Sequence, residues 1–369
     1  TRVLVNTEIE FEYGGYLKGD LESETMGELK LEQAWADFAL NDNTHLRTGI
    51  ILVPFGIVNI LHDSDVRDST QRPLYSKYII PSTWMDTGIG VHGNFDVAEA
   101  EVNYEVYAIN GLAMKSSENF KDGLRNLRPN FKEDKNNTNA WAGRIGVSPF
   151  IGLEIGTSSY VGKYDDTNGI TLLGFDAFGK KGPFEFIAEW AKAHIDIEPG
   201  SDLASGMNGY YIESRYHFFP SFLKNNIIAY GFDHPTFTLF ARYGAIDLDE
   251  NNTQIGKKTR ITLGMNYRPT DTVVFKLEGQ IQKAESISAG LDYPGVSPIH
   301  CFLKDVKRAR YTYVTDEEAL DAYQMITKYE KLNPSLEPSH AFAEAIKIAP
   351  KLSKDTIIIV NSCGDAKKD

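Results

Sequence analysis

The stretch TVVFKLEGQIQKAESISAGLDYPG (Thr272–Gly295) changes its pattern halfway along. In its first half, apolar residues alternate with polar residues, which is the period of a β-strand with one apolar face. The apolar members are Val273, Phe275, Leu277 and Ile281. From Ser286 onward the alternation stops, and a loop rich in Gly, Asp and Pro precedes segments with helical spacing. The stretch therefore predicts two parts: a β-rich part over residues 1–285 and a different tail over residues 286–369.

The chain has 369 residues and is acidic, with 38 Lys+Arg against 51 Asp+Glu and a net charge of −13. This balance argues against a nucleic-acid partner, which a basic surface would favour. The acidic excess lies in the first part, because the tail holds 11 Lys+Arg and 12 Asp+Glu. Both cysteines, Cys301 and Cys363, lie in the tail. A first part without cysteine suits an oxidising compartment, whereas the tail is more typical of the cytoplasm.

Alternation of period two recurs along the first part in about thirteen segments of roughly ten residues, which is the length of a transmembrane strand. The first of these predicted strands is Arg2–Tyr13 and the last is Thr272–Lys283. In one segment, Phe184 and Phe186 alternate with Glu185 and Glu189. Many segments carry charged residues on one face and aromatic residues on the other. The pattern is that of strands that separate an apolar environment from a wet one.

The connections between these segments alternate in length. NDNT (Asn41–Thr44) and RPTD (Arg268–Asp271) are tight turns, whereas residues 116–139 and 197–206 form long polar loops, as in outer-membrane barrels. A soluble β-sandwich, for example a carbohydrate-binding protein, is the alternative, but its strands are usually about five or six residues long. We therefore predict a mainly β fold: an incomplete antiparallel transmembrane β-barrel in the bacterial outer membrane, surrounded by lipid and followed by a small α/β fragment.

Four segments of the first part resemble bacterial outer-membrane porins of the phosphate-selective type. They are LKLEQAWADFAL (Leu29–Leu40), LRTGIILVPFG (Leu46–Gly56), RPLYSKYIIPSTWMDTGIGVHGNF (Arg72–Phe95) and ITLGMNYRPTDTVVFKLEGQ (Ile261–Gln280). The resemblance covers nearly all of residues 1–285. It implies a homotrimeric, passive channel of about sixteen strands for small solutes, with a long loop folded into the pore and no cofactor.

The segment Ile57–Trp84, between the third and fourth predicted strands, is the candidate for that loop. It is interpreted either as the constriction of the pore or as an ordinary extracellular loop. Charge in the narrow part of a pore sets its selectivity, and arginines on polar strand faces attract anions. The acidic charge of the first part argues against strong anion selectivity. The candidate pore-lining residues are Arg47, Arg144, Arg215, Arg242 and Arg268 on strands and Asp63, Asp65, Arg67 and Arg72 in the segment.

One motif of this segment, HDSD (His62–Asp65), suggests a metal site by its residue types. As part of a polar loop it is more often solvated, and we interpret it in that way.

The tail shows helical periodicity. The sequence TDEE (Thr315–Glu318) is a capping box in front of an apolar stripe, and Ser339 is a candidate cap for a second helix. The short apolar run TIIIV (Thr356–Val360) is typical of a strand buried in a parallel sheet. These features predict soluble α/β material.

Four segments of the tail resemble the C-terminal part of the tryptophan synthase β-subunit, which uses pyridoxal phosphate. They are SISAGLDYPGVSP (Ser286–Pro298), YTYVTDEEALDAY (Tyr311–Tyr323), NPSLEPSHAFAEAIK (Asn333–Lys347) and IIIVNSCGDAKKD (Ile357–Asp369). The resemblance implies that Glu337 and Cys363 lie near the pyridine ring and that Asp292 belongs to a closing loop. It also implies that the backbone carbonyls of Tyr293 and Gly295 bind a monovalent cation.

The Schiff-base lysine and the glycine-rich phosphate loop of that family lie upstream of its matching part, and neither motif occurs here. Pyridoxal phosphate is therefore not expected to bind, and the tail is not expected to be an enzyme. The two resemblances meet near residue 285, inside both folds and without a linker, which indicates an accidental join of two unrelated genes. We predict a passive outer-membrane diffusion channel for small solutes, anions among them, with a non-functional enzyme-derived tail. The alternative is a fragment of a pyridoxal-phosphate lyase fused to a barrel fragment.

Overall fold

The computed structural model describes residues 2–12, 28–63, 66–114, 123–128, 139–198, 204–224, 226, 231–250, 257–282, 288–291 and 298–363. The chain divides into two compact units, Thr1–Gln280 and Ile281–Asp369. The boundary predicted at residue 285 falls in a segment outside the described residues, and it stays a prediction.

The first unit is one sheet of thirteen strands that lie side by side in chain order, so each strand pairs with the strands before and after it. Pairing is antiparallel wherever the register is described. The number of strands predicted from the sequence is thus confirmed. The strands are β1 Val3–Glu12, β2 Glu28–Asn41, β3 Thr44–Leu52, β4 Met85–Val97, β5 Ala100–Ile109, β6 Ala140–Phe150, β7 Leu153–Lys163, β8 Gly169–Lys181, β9 Phe184–Ile195, β10 Gly206–Phe218, β11 Thr236–Asp247, β12 Lys257–Thr270 and β13 Val273–Gln282.

The two faces of the sheet differ as the alternation predicts. On β9, the side chains of Phe184 and Phe186 are about half exposed, whereas Glu185 and Glu189 are buried. The strands contain 9 to 14 residues, enough to cross a bilayer when tilted. Apolar side chains on the outer face suit lipid, and charged side chains on the inner face suit a lumen. The fold is therefore an antiparallel transmembrane β-barrel, with β1 and β13 at the two ends of the described sheet.

The lengths of the connections confirm the predicted asymmetry. Two residues connect β2 to β3, β4 to β5, β6 to β7, β8 to β9 and β12 to β13. The connections after odd-numbered strands are longer, and the one between β3 and β4 spans residues 53–84. Tight turns therefore lie mostly at one end of the barrel and long segments at the other. The exception is the connection between β10 and β11, which spans residues 219–235 at the end of the tight turns.

The connection between β3 and β4, here called the inward loop (residues 53–84), lies against the inner face of the sheet. It contains two short helices, α1 Gly56–Ile60 and α2 Leu74–Tyr78, which contact strands from β7 to β12. The same loop reaches Glu32 on β2 and Glu278 on β13 through hydrogen bonds, so the sheet curves around it. Of the two interpretations of this segment, the structure therefore supports the loop folded into the barrel.

Apolar packing holds the inward loop in place. The side chains of Phe55, Tyr75 and Trp84 are fully buried, together with Tyr107 and Tyr160 of the wall. Burial of large aromatic and aliphatic side chains stabilises a fold by about 1.5–3 kcal/mol for each one. Part of the lumen is thus filled by an apolar core, which makes the loop a structural part of the barrel.

The second unit contains α3 Pro298–Asp305, α4 Asp316–Glu330 and α5 Leu336–Ile348. The predicted capping box is confirmed, because the Thr315 side chain accepts from the Glu318 N–H and the Glu318 carboxylate accepts from the Thr315 N–H. The predicted cap at Ser339 is wrong: α5 begins at Leu336, and the Ser339 hydroxyl donates to the Ser335 carbonyl inside the helix. Proline is tolerated in a first helical turn, so Pro338 does not delay the start of α5.

The run Thr356–Val360, which the sequence indicates as a buried strand, forms no strand, and the Ile357 side chain is 87% exposed. A strand of a parallel sheet needs neighbouring strands on the same sheet, and the described tail offers none. Among the described residues, no helix has the length and apolar character needed to span a membrane.

Candidate pore

The inward loop begins on the wall at a buried carboxylate. The backbone N–H groups of Ile57 and Val58 donate to the Glu189 carboxylate at 3.0 and 2.9 Å, and the Tyr211 hydroxyl donates to it at 2.6 Å. The adjacent Gly56 N–H donates to Ser158 Oγ at 3.1 Å. A buried carboxyl group requires such hydrogen bonds, because polar atoms without partners away from water are costly.

Glycine is required at position 56 for two reasons. Its φ of +67° lies in the left-handed region, and a Cβ there would collide with the Glu189 carboxylate. The sequence therefore allows the loop backbone to approach β9 closely enough for the hydrogen bonds to form.

A second anchor lies further along the loop, at Asp68. Its carboxylate pairs with Arg215 at 3.2 Å and with Arg268 at 3.1 Å, and the Asn266 amide donates to it at 3.0 Å. The neighbouring Arg242 donates to the Ser69 hydroxyl at 2.7 Å and to the Gln71 carbonyl at 3.0 Å. The loop is thus bound to β10, β11 and β12 mainly through arginines of the wall.

All five arginines predicted on strands have carboxylate partners. Arg47 donates to Asp37 at 3.0 Å, and Arg144 contacts Asp176 at 2.5 Å and Glu154 at 2.7 Å. The remaining pairs are Arg215 with Asp68, Glu185 and Glu213, Arg242 with Glu213, and Arg268 with Asp68. The positive charge of the wall is therefore largely balanced locally, and its role in selectivity stays a prediction.

Four other arginines have no carboxylate oxygen within 4 Å in the part of the chain that the structure describes. They are Arg67, Arg125, Arg128 and Arg260, here called the unpaired arginines. Their guanidinium groups donate to backbone carbonyls instead: Arg67 to His62, Arg128 to Thr83 at 2.6 Å, and Arg260 to Arg72 at 3.3 Å. The segment Gly123–Arg128 packs on the inward loop, with Leu124 and Leu127 fully buried.

The environment of these arginines lowers their affinity for protons. Burial lowers the pKa of Arg67 to about 10, and the nearby Arg72 and Arg242 contribute to the shift. Burial together with Arg125 and Arg72 lowers the pKa of Arg128 to about 10 as well. Both groups remain charged at pH 7. Positive charge without an ion-pair partner within 4 Å attracts anions.

Two cavities flank the inward loop. The first, about 630 Å³, is lined by His45, His92, Glu105, Arg144 and Glu154 among others. The second, about 450 Å³, is lined by Arg67, Asp68, Arg215, Arg242 and Arg268 among others. The side chains of Ile57, Leu61 and Phe178 line both, so they lie between the cavities. The loop thus divides the inner space of the barrel.

Three of the charged residues predicted in the loop make contacts in the structure. Asp63 lies beside His62, Arg67 donates to the His62 carbonyl, and the Arg72 carbonyl accepts from Arg260. Asp65 lies outside the described residues. The sequence reasoning missed the wall carboxylates Asp37, Asp176, Glu189 and Glu213. Asp37 and Arg47 are direct cross-strand neighbours on the NDNT hairpin, so counting outward from that turn could have indicated this pair.

In the tail, two of the residues that the family resemblance implies for pyridoxal phosphate, Glu337 and Cys363, lie among the described residues. The Glu337 carboxylate accepts a hydrogen bond from the Gly290 N–H at 3.0 Å, and Cys363 is exposed. The cavity of the tail, about 700 Å³, is lined by neither residue and by no lysine among those described. Asp292, Tyr293 and Gly295 lie outside the described residues.

A barrel of membrane-length strands, apolar outside and charged inside, with a loop bound in its lumen, defines an outer-membrane channel of the porin class. The chain belongs to the phosphate-selective porin O and P family, whose model matches residues 5–279.

Several solved structures are similar to the chain. An anion-selective porin from Comamonas acidovorans is 11% identical, with 71% of this chain and 70% of that chain covered and a TM-score of 0.45. The outer-membrane channel DcaP of Acinetobacter baumannii is 12% identical, with 76% and 74% covered and a TM-score of 0.42.

A different protein matches a smaller part of the sequence. A tryptophan synthase beta chain from Allorhizobium ampelinum is 54% identical over 92 residues, which are 25% of this chain. The match spans 23% of that relative's length. The chain therefore combines a porin with a segment that resembles the tryptophan synthase β-subunit, which confirms the apparent chimera.

Proposed function

We propose that the barrel is a passive channel for small anions. The observation that carries the proposal is the difference between two sets of arginines. The five strand arginines predicted from the sequence pair with carboxylates, whereas the unpaired arginines have only backbone carbonyls as hydrogen-bond partners within the part of the chain that the structure describes. The net acidic charge of the chain does not oppose this proposal, because charges farther than about 8–10 Å are screened at physiological salt.

The inward loop supports the proposal because it narrows the inner space of the barrel. A permeating ion must pass close to the loop, where a guanidinium group can replace part of its hydration shell. A carboxylate in a neutral ion pair repels an anion less than an isolated one does, because the charge of its partner offsets it.

The test is the reversal potential of the purified chain in a planar lipid bilayer with a salt gradient. We expect the sign of the reversal potential to show that anions permeate more readily than cations. In Arg67→Gln the magnitude of this potential should be smaller. Lys181→Gln, which removes an exposed charge at the end of β8, is the matched control and should leave the potential unchanged. Cation preference in the unsubstituted chain would contradict the proposal.

A homotrimer is part of the proposal, because the family resemblance implies it. Native mass spectrometry of the detergent-solubilised chain measures the state directly. We expect a mass of three chains, and a single chain under all solubilising conditions would be incompatible with it.

We further propose that the tail is an inactive segment of cytoplasmic origin. Its support is the lack of a Schiff-base lysine motif and of a phosphate loop in the sequence, together with the lining of its cavity. Incubation of the purified chain with pyridoxal phosphate, followed by borohydride reduction, should leave no cofactor attached at a unique lysine. Stoichiometric attachment at one lysine would support the alternative enzyme-derived function.

A further inference from the structure

His62 and Asp63 of the inward loop meet Glu32 of β2 at one point. His62 Nε2 lies 3.0 Å from Glu32 Oε2 and 3.2 Å from Asp63 Oδ1. The side chains of His62 and Glu32 are 4% and 6% exposed, so this part of the HDSD motif is not solvated, contrary to its interpretation from the sequence. We propose that these three residues form a zinc site that binds the inward loop to the barrel wall.

The tautomer of His62 is fixed by a fourth residue. His62 Nδ1 lies 3.2 Å from the Asn59 carbonyl oxygen, which can only accept, so Nδ1 carries a proton. The other ring nitrogen, Nε2, faces two carboxylate oxygens, which carry only lone pairs. Either a second proton on the ring or a metal cation therefore lies between them, and the spacing of the ligand atoms favours the metal. A histidine that donates its other N–H to a backbone carbonyl is the usual arrangement of a metal ligand.

The spacing of the three atoms suits zinc. Zinc binds histidine nitrogen and carboxylate oxygen at about 2.0–2.2 Å, and the edge of a tetrahedron with such bonds is about 3.3 Å. The distances of 3.0 and 3.2 Å are close to that edge, and all three ligand atoms lie within 4.8 Å of one another. Asp63 is 45% exposed on its side chain, so water can supply a fourth ligand.

The backbone of β2 is irregular at the same point. Glu8 pairs with Gln33 and Ile9 with Leu31, so Glu32 is the extra residue of a β-bulge. A bulge re-aims a side chain, and here it turns Glu32 towards the loop. Among the described residues, His62 is the one hydrogen-bond partner of the Glu32 carboxylate. A buried carboxylate with a single hydrogen-bond partner is costly, and a divalent cation would offset that cost.

A second cluster, Asp37 with His45 and His92, is less suited to a cation. Arg47 Nε already donates to the Asp37 carboxylate at 3.0 Å, so a positive charge occupies that position. This cluster provides a control, because His92→Ala removes a similar histidine from a similar carboxylate.

The test measures zinc bound per chain, by elemental analysis after equilibrium dialysis, on untagged full-length protein in detergent that was first treated with a chelator. We expect one zinc ion per chain and, for His62→Ala and Asp63→Asn, an affinity at least about tenfold lower. His92→Ala and His194→Ala should retain zinc, since His194 lies beside a single exposed carboxylate. Magnesium at the same concentration should not compete, because it prefers oxygen ligands.

Asp63→Asn keeps the proposal testable if the buried His62 is needed for folding, since Asp63 is partly exposed. Circular dichroism shows which variants retain the barrel. Unchanged zinc binding in Asp63→Asn, or no zinc binding by the unsubstituted chain, would overturn the proposal. Zinc binding is measured without reference to ion selectivity. The zinc proposal can therefore fail while the proposed channel function stands, and the reverse is also possible.

Discussion

The Glu189 carboxylate on β9 accepts a hydrogen bond from the backbone N–H of Ile57, a residue 132 positions earlier in the chain. Both groups are buried, and the bond joins the inward loop to the wall at the start of α1. If either group were removed, the other would be buried without this hydrogen-bond partner and without water to replace it. The loop and the wall therefore stabilise each other.

Replacing Glu189 by Gln should release part of the loop. The amide has one acceptor oxygen for three donors, so at least one buried donor loses its partner, at a cost of about 1–3 kcal/mol. We expect a larger single-channel conductance with more noise in planar bilayers and a lower unfolding temperature. Glu101→Gln, at an exposed position of β5, is the control. Conductance equal to that of the unsubstituted channel would show that this bond does not hold the loop.

Replacing Gly56 by Ala tests the close approach of the loop to β9. The substitution combines a left-handed φ of +67° with a collision against Glu189, and we expect both lower stability and higher conductance. Gly182→Ala is the matched control, because Gly182 has a φ of +58° but no atom within 4 Å of an added Cβ. It should cost only the backbone strain, about 1–2 kcal/mol. Equal effects of the two substitutions on conductance would refute the contact argument.

The anion preference should depend on pH in the alkaline range. The pKa of Arg67 is lowered to about 10, so its charge is complete at pH 7 and declines as the pH rises through 10. We expect the reversal potential to move towards zero between about pH 9 and pH 11. In Arg67→Gln this change should be smaller, because only the other titrating groups contribute to it. An identical pH profile in the two proteins would exclude Arg67 as the cause.

Replacing Asp68 by Asn should strengthen the anion preference. The substitution keeps the volume of the side chain but removes the negative charge shared by Arg215 and Arg268. Arg215 keeps Glu185 and Glu213 as partners, whereas Arg268 loses the one carboxylate that it has among the described residues, so the second cavity gains positive charge. Asp271→Asn, in the lining of the same cavity but at a tight turn, is the control. A weaker anion preference in Asp68→Asn would contradict the role assigned to these arginines.

In the tail, replacing Thr315 by Ala should destabilise the start of α4. The Thr315 hydroxyl accepts from the Glu318 backbone N–H in the capping box, and loss of this acceptor costs about 1 kcal/mol. Hydrogen exchange of the full chain should accelerate over residues 316–320. Ser335→Ala is the control, because the Ser335 side chain makes no capping hydrogen bond to α5. Equal acceleration at both helices would show that the box contributes nothing specific.

Much of the barrel could be predicted from the sequence, because alternation and turn length are local properties. The first strand was expected at Arg2–Tyr13 and is Val3–Glu12, and the last was expected at Thr272–Lys283 and is Val273–Gln282. The capping box at Thr315 was also predicted, since it involves residues three positions apart. The strand at Thr356–Val360 was not formed, because an apolar run becomes a strand only if a neighbouring strand is present.

The residues of the candidate site were predicted less completely. The arginines of the strands were identified because they stand out on polar faces. Their carboxylate partners were not identified, although the position of Asp37 directly opposite Arg47 on the NDNT hairpin could have indicated that pair. Glu189, Asp68 and the unpaired arginines come from segments that only the curvature of the sheet brings together.

The sequence by itself determined the strand periodicity, the short and long connections, and the change of pattern that separates the barrel from the tail. The tertiary structure alone decided that residues 53–84 enter the barrel and which charges they meet there. The physical reason is the separation along the chain of the residues that interact. The direction of a side chain follows from the backbone geometry of a few neighbouring residues. Contacts such as Glu189 with Ile57, or Glu32 with His62, form only when strands far apart in sequence enclose one space.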